Sequence, residues 1–113
     1  MATRCGSRSA AVLAGYFSPQ TDTGAAASLF GGDVGRLHEN DPMWLLEHGK
    51  APAARVLAVW SAQDPSTAGP TQAFLAAARP PLTVDELRLD GGHNTGVWQS
   101  VLPRVLDWLV KGL

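Results

Sequence analysis

The sequence predicts an α/β protein of about three parallel strands with flanking helices. Two observations carry that prediction. Three short apolar runs are bounded by turn residues, and helical patterns lie between and after them. Strands alternating with helices argue for a parallel sheet covered on its faces, because a parallel return needs a crossover connection. With 113 residues, the chain is sized for one domain spanning 1–113.

In chain order, Ala10 to Ala14 (AAVLA) is continuously apolar and stops at Gly15, so it reads as a short buried strand. Gly24 to Arg36 reads as an irregular surface loop, small and polar, anchored by Leu29, Phe30 and Val34. Pro42 to His48 reads as a helix. Asp41 can accept from its first-turn amides, Pro42 takes the first helical position, and Gly49 closes it. Arg55 to Trp60 (RVLAVW) is rich in β-branched and aromatic residues, ends at Ser61 and reads as the second strand. A second helix is expected from about Pro70 to Arg79, ended by Pro80-Pro81. Val84 to Leu89 (VDELRL) is the weakest strand, since Asp85 and Glu86 interrupt its alternation. The last helix is expected from about Trp98 to Val110. There Trp98, Leu102, Val105, Leu106 and Leu109 recur at helical spacing as one apolar stripe. Pro103 removes an internal hydrogen bond, which predicts either a kink or a start near Ser100.

Composition excludes several classes of function. A net charge of −1 and no basic patch leave no electrostatic basis for binding nucleic acid. Cys5 is the only cysteine, so no intrachain disulfide can form. No apolar run reaches the length needed to span a bilayer, the N-terminus makes a poor signal peptide, and nothing indicates a compartment. His38, His48 and His93 fall in separate segments without metal-ligand spacing, so no metal and no cofactor is expected.

Reactive groups of open parallel sheets gather at the carboxyl ends of the strands. Ser61-Ala62-Gln63-Asp64-Pro65 directly follows the second strand, and Asp90-Gly91-Gly92-His93-Asn94 directly follows the third. An acid after one strand and a histidine after its neighbour can meet above the sheet edge. A catalytic triad needs that geometry: the carboxylate holds one imidazole nitrogen while the other takes the nucleophile's proton. Two glycines before His93 let the chain turn sharply off the strand. Spacing alone also allows plainer readings, with Gly91-Gly92 a tight turn carrying a surface histidine and Asp64-Pro65 a turn and helix cap.

Several segments together resemble the C-terminal part of a known family. Asp90-Gly91-Gly92-His93-Asn94 is followed by Trp98, Leu102-Pro103 and Leu106-Asp107-Trp108-Leu109. Upstream lie Ala14-Gly15-Tyr16-Phe17, Asn40-Asp41-Pro42-Met43-Trp44-Leu45-Leu46 and Ser61-Ala62-Gln63-Asp64. In this order they resemble the esterase family that includes enterochelin esterases, feruloyl esterases, S-formylglutathione hydrolase and the antigen 85 acyltransferases. The resemblance covers nearly the whole chain. It implies the C-terminal part of an α/β-hydrolase fold and a small-molecule ester as substrate of the intact enzyme. It also implies His93 as general base and acid, with Asp64 as its orienting carboxylate and Asp90 as the fallback. Asn94 and Trp98 would flank the histidine, with Trp98 serving in packing.

One departure from the family is large. The family's serine lies in a G-x-S-x-G elbow, and this sequence contains no such motif. The nearest approach, Cys5-Gly6-Ser7-Arg8-Ser9, lacks the glycine spacing, so Ser7, Ser9 and Ser18 read as ordinary polar residues. The family's oxyanion-hole donors belong to the missing half as well. Two readings follow. The chain is a fragment of a serine esterase or acyltransferase, inactive alone. Alternatively it is a non-catalytic α/β remnant that binds a partner or self-associates through the open sheet edge beside AAVLA. Hydrolysis with Cys5 as nucleophile beside His93 is a third reading, with nothing to bring Cys5 to the sheet's carboxyl edge.

Overall fold

The computed structural model describes residues 8–15, 17 and 30–111. Its elements are β1 (Ser9–Leu13), α1 (Val34–Glu39), α2 (Pro42–Glu47), β2 (Arg55–Ser61), α3 (Pro65–Ala77), β3 (Thr83–Leu89) and α4 (Thr95–Lys111). The three strands form one parallel sheet in the order β1-β2-β3. Ser9 pairs with Arg55 and Leu13 with Val59, while Arg55 pairs with Thr83 and Ser61 with Leu89. The chain therefore has the α/β arrangement expected of it. Cys5, Ser7, Tyr16, Ser18 and Leu29 lie outside the described residues.

Strand alternation sorts the apolar side chains onto two faces. Ala11, Leu13, Leu57, Val59, Leu87 and Leu89 meet Val101 and Val105 of α4 on one face. Val12, Val56 and Val84 face the other way, toward Phe17, Leu46 of α2, Phe74 of α3 and Leu82. The rings of Phe17 and Phe74 stack there at 4.2 Å. Full burial of side chains of this size stabilises by about 1.5–3 kcal/mol each. Trp98 packs against the first cluster, as expected.

The charges that spoil the alternation of β3 have a structural use. Asp85 accepts from the Trp108 indole N–H at 2.7 Å, and Glu86 accepts from that of Trp60 at 3.1 Å. Trp60 is buried, and an indole donor taken from water needs an acceptor. With Arg88 they also charge one edge of the sheet, which discourages pairing with another strand. The β1 edge carries no charge from Ser9 to Leu13.

Three expectations need correction. α3 begins at Pro65 and contains Pro70, instead of beginning at Pro70. The Asp64 side chain caps it, so Pro65 takes the first helical position. The carbonyl that Pro70 leaves without a donor belongs to exposed Ser66. α4 begins at Thr95, before both Trp98 and Ser100, and runs through Pro103. The Asn94 side chain accepts from Val97 N at 3.0 Å and caps it. Pro103 and Gln99, whose carbonyl loses its partner, both face water, so the helix tolerates the proline. Finally, the supposed loop to Arg36 ends in α1, capped by the Asp33 carboxylate. Its anchor is Leu37, at 7% exposure, whereas Val34 is 53% exposed.

Among the described residues no helix is long and apolar enough to cross a membrane.

Candidate functional site

The last paired rung of β2 and β3 is Ser61 with Leu89. Just beyond it, the two chains leave the carboxyl edge as neighbouring loops, one carrying Asp64 and the other His93. The structure brings these two together: His93 Nδ1 lies 2.7 Å from Asp64 Oδ2. Asp64 is almost wholly buried, with its side chain 2% exposed, while that of His93 is 58% exposed. One side of the imidazole is thus fixed from below and the rest of the ring opens outward. Trp98 meets it edge-on, with ring centroids 5.6 Å apart at 82°.

Asp64 does two jobs at once. Its Oδ1 accepts from Ser66 N at 3.3 Å, as an N-cap does, and from Ser66 Oγ at 2.6 Å. Its Oδ2 accepts from Thr67 Oγ1 at 2.7 Å and from His93. The plain reading of Asp-Pro as a helix cap holds, and the same carboxylate also pairs with His93. The Ser66 and Thr67 hydroxyls, then His93, hold its carboxyl well below the usual carboxylate range, against the opposing effect of burial. Ionised, Asp64 can only accept, so His93 Nδ1 must be the donor. In the neutral ring Nε2 is then the free base.

A pH dependence follows. Asp64 is ionised in the folded chain under acid conditions that protonate it in the unfolded one. Its stabilising contribution is complete above the ordinary value of 3.8 and is lost as pH falls toward the lowered one. Thermal melts should show Tm dropping as acid is added below about pH 4. Asp64→Asn should flatten that slope, and a variant with the wild-type slope would show that Asp64 titrates normally.

Of the other residues named from sequence, Asp90 is exposed and not needed as a fallback, and Asn94 serves as the cap of α4. Ser61, Ser66 and Thr67 were not foreseen. Hydroxyls directly after an Asp-Pro cap are a readable signal for Ser66 and Thr67, because both can donate back to the capping carboxylate. Gly91 has φ of +113°, and a Cβ there would sit 2.6 Å from Val97 Cγ2. Gly92 has open space around it. An apolar hollow of about 280 Å³ is lined by Phe17, Leu46, Phe74 and Leu82, with Ala51 and Ala54 ahead of β2. It sits on the face away from α4 and reaches the amino end of the sheet, so it is not the cleft of the Asp64–His93 pair.

No family model, curated protein or solved structure matches the chain.

Proposed function

We propose that the chain is the acid- and histidine-bearing part of a serine carboxylic-ester hydrolase or acyltransferase of α/β-hydrolase type. The observation that supports this most directly is the 2.7 Å pairing of His93 Nδ1 with buried Asp64, at the carboxyl edge of two adjacent parallel strands. His93 Nε2 would take the proton of a serine hydroxyl as it attacks the ester carbonyl. It would then return the proton to the departing alcohol, while Asp64 stabilises the imidazolium.

The serine and the oxyanion-hole donors would come from polypeptide outside this sequence, which has no G-x-S-x-G elbow. A surface suited to more of the fold is present. Among the described residues nothing pairs with the outer edge of β1, and α4 exposes Leu102 and Leu106, at 43% and 58%. The same open edge favours a second reading, a non-catalytic module that self-associates. Sedimentation separates the two: a concentration-independent monomer removes the second.

The direct test is to extend the chain with the in-frame sequence upstream of Met1. A G-x-S-x-G motif is expected there. The extended protein should hydrolyse p-nitrophenyl acetate, and His93→Ala should cost about 10⁶-fold in kcat. The chain alone should show no turnover above buffer. Absence of the upstream motif, or His93-dependent turnover by the chain alone, would overturn the proposal.

A further inference from the structure

Ser61 is fully buried at the last paired rung of β2, on the face where Leu57 and Val59 pack. A hydroxyl in such a place is costly unless it is bonded. Its Oγ donates to the carbonyl of Gly91, and it accepts from the backbone N–H of Gln63 at 3.2 Å. The side-chain amide of Gln63 places its Oε1 2.8 Å from the same oxygen. A hydroxyl has one proton, and a carbonyl can only accept, so that proton goes to Gly91. Two acceptors cannot share it, so the Gln63 amide is assigned the turned-over orientation that presents its NH2 group to Ser61. The result is a directional chain from Gln63 through Ser61 to Gly91.

The position of this chain matters more than its strength. Ser61 stands at the root of the loop that carries Asp64, and Gly91 at the root of the turn that carries His93. The turn contains two glycines and is intrinsically free. Beyond the last rung of the sheet, the Ser61 hydroxyl adds one more link between the two loops. Without it, the outward-opening His93 would have to order the turn through its own bond to Asp64.

We propose that Ser61 is a positioning residue for the Asp64–His93 pair, its buried hydroxyl fixing the Gly91 carbonyl so that the His93 turn is held against the Asp64 loop. This rests on the reading of that pair as catalytic.

The test reads the imidazole nitrogens of His93 by ¹⁵N NMR, on the chain as it stands, at a pH raised until the spectrum no longer changes. The Nδ1–H tautomer dominates in the wild type, because Asp64 can only accept. Ser61→Ala is expected to lower the ratio of Nδ1–H to Nε2–H about fivefold, the scale of one ordinary hydrogen bond. The dispersed amide spectrum should be retained. Gln63→Ala removes an exposed donor without emptying a core position, and should lower the ratio in the same direction, about twofold. Thr71→Ala deletes another buried hydroxyl, one without a partner among the described residues, and should leave the ratio unchanged. An unchanged ratio in Ser61→Ala, or an equal drop in Thr71→Ala, overturns the positioning role. If Ser61→Ala does not fold, an unchanged ratio in Gln63→Ala overturns it instead. Failure of the underlying pair is distinguishable, since Asp64→Asn would then keep the wild-type ratio.

Discussion

Asp64→Asn should leave α3 capped and the fold intact, yet on the proposed function it should reduce kcat of the upstream-extended chain about 10⁴-fold. Asparagine is as good an N-cap as aspartate, and its amide oxygen can keep the Oδ1 contacts with Ser66 N and Oγ. The other arm of the side chain is where the change acts. Oδ2 accepts from both Thr67 Oγ1 and His93 Nδ1, and an NH2 group in its place can only donate. Thr67 can rotate its hydroxyl to adapt. The imidazole adapts only by presenting an unprotonated Nδ1, which puts its proton on Nε2. Nε2 then has no lone pair to receive a proton, and the general base of the proposed mechanism is lost while the ring stays in place. The expected signature is therefore a tautomer reversal in the ¹⁵N spectrum of the chain itself, accompanied by the loss of kcat in the extended enzyme. A variant that keeps the Nδ1–H form and most of its activity would show that Asp64 does not orient His93.

The fold was readable because each strand is a short apolar run ended by turn residues, and the Ala10, Arg55 and Val84 runs became β1, β2 and β3 to within one residue at each end. The two helices that start upstream of the expected residues do so for one reason. The caps outweigh the prolines: Asp64 before Pro65 and Asn94 before Thr95 set where α3 and α4 begin, while Pro70 and Pro103 sit inside them. Short α1 was hidden because its only buried anchor, Leu37, has no apolar neighbour at helical spacing that is also buried. The Asp64–His93 contact was legible from strand order, since parallel neighbours deliver their following loops to one edge. The hydroxyls around the pair were not. Ser61 donates to Gly91, a residue thirty positions later in sequence, and only the finished β2–β3 register brings them together.

The two glycines before His93 read as equivalent in sequence, and their substitution should separate them sharply. Gly91 has φ of +113°, a region that side-chain-bearing residues avoid, and its added Cβ would lie 2.6 Å from Val97 Cγ2. Such backbone strain costs about 1–3 kcal/mol, and forcing an extra methyl into packed space costs about 1–3 kcal/mol more. Gly91→Ala should thus lose roughly 2–6 kcal/mol, a large share of the 5–15 kcal/mol typical of a whole domain. Gly92 has nothing near an added Cβ, so Gly92→Ala should stay within about 1 kcal/mol of wild type. Val97 cannot yield cheaply, because it packs against the cluster around Val101. A double-mutant cycle divides the Gly91 cost into its causes. Adding Val97→Ala removes the clashing methyl but leaves the strained backbone, so the two changes together should cost about 1–3 kcal/mol less than their sum. Denaturant midpoints of the four proteins measure this directly. Equal losses at Gly91 and Gly92 would mean that the turn takes another path. Strict additivity with Val97 would leave backbone strain as the sole reason that glycine is needed there.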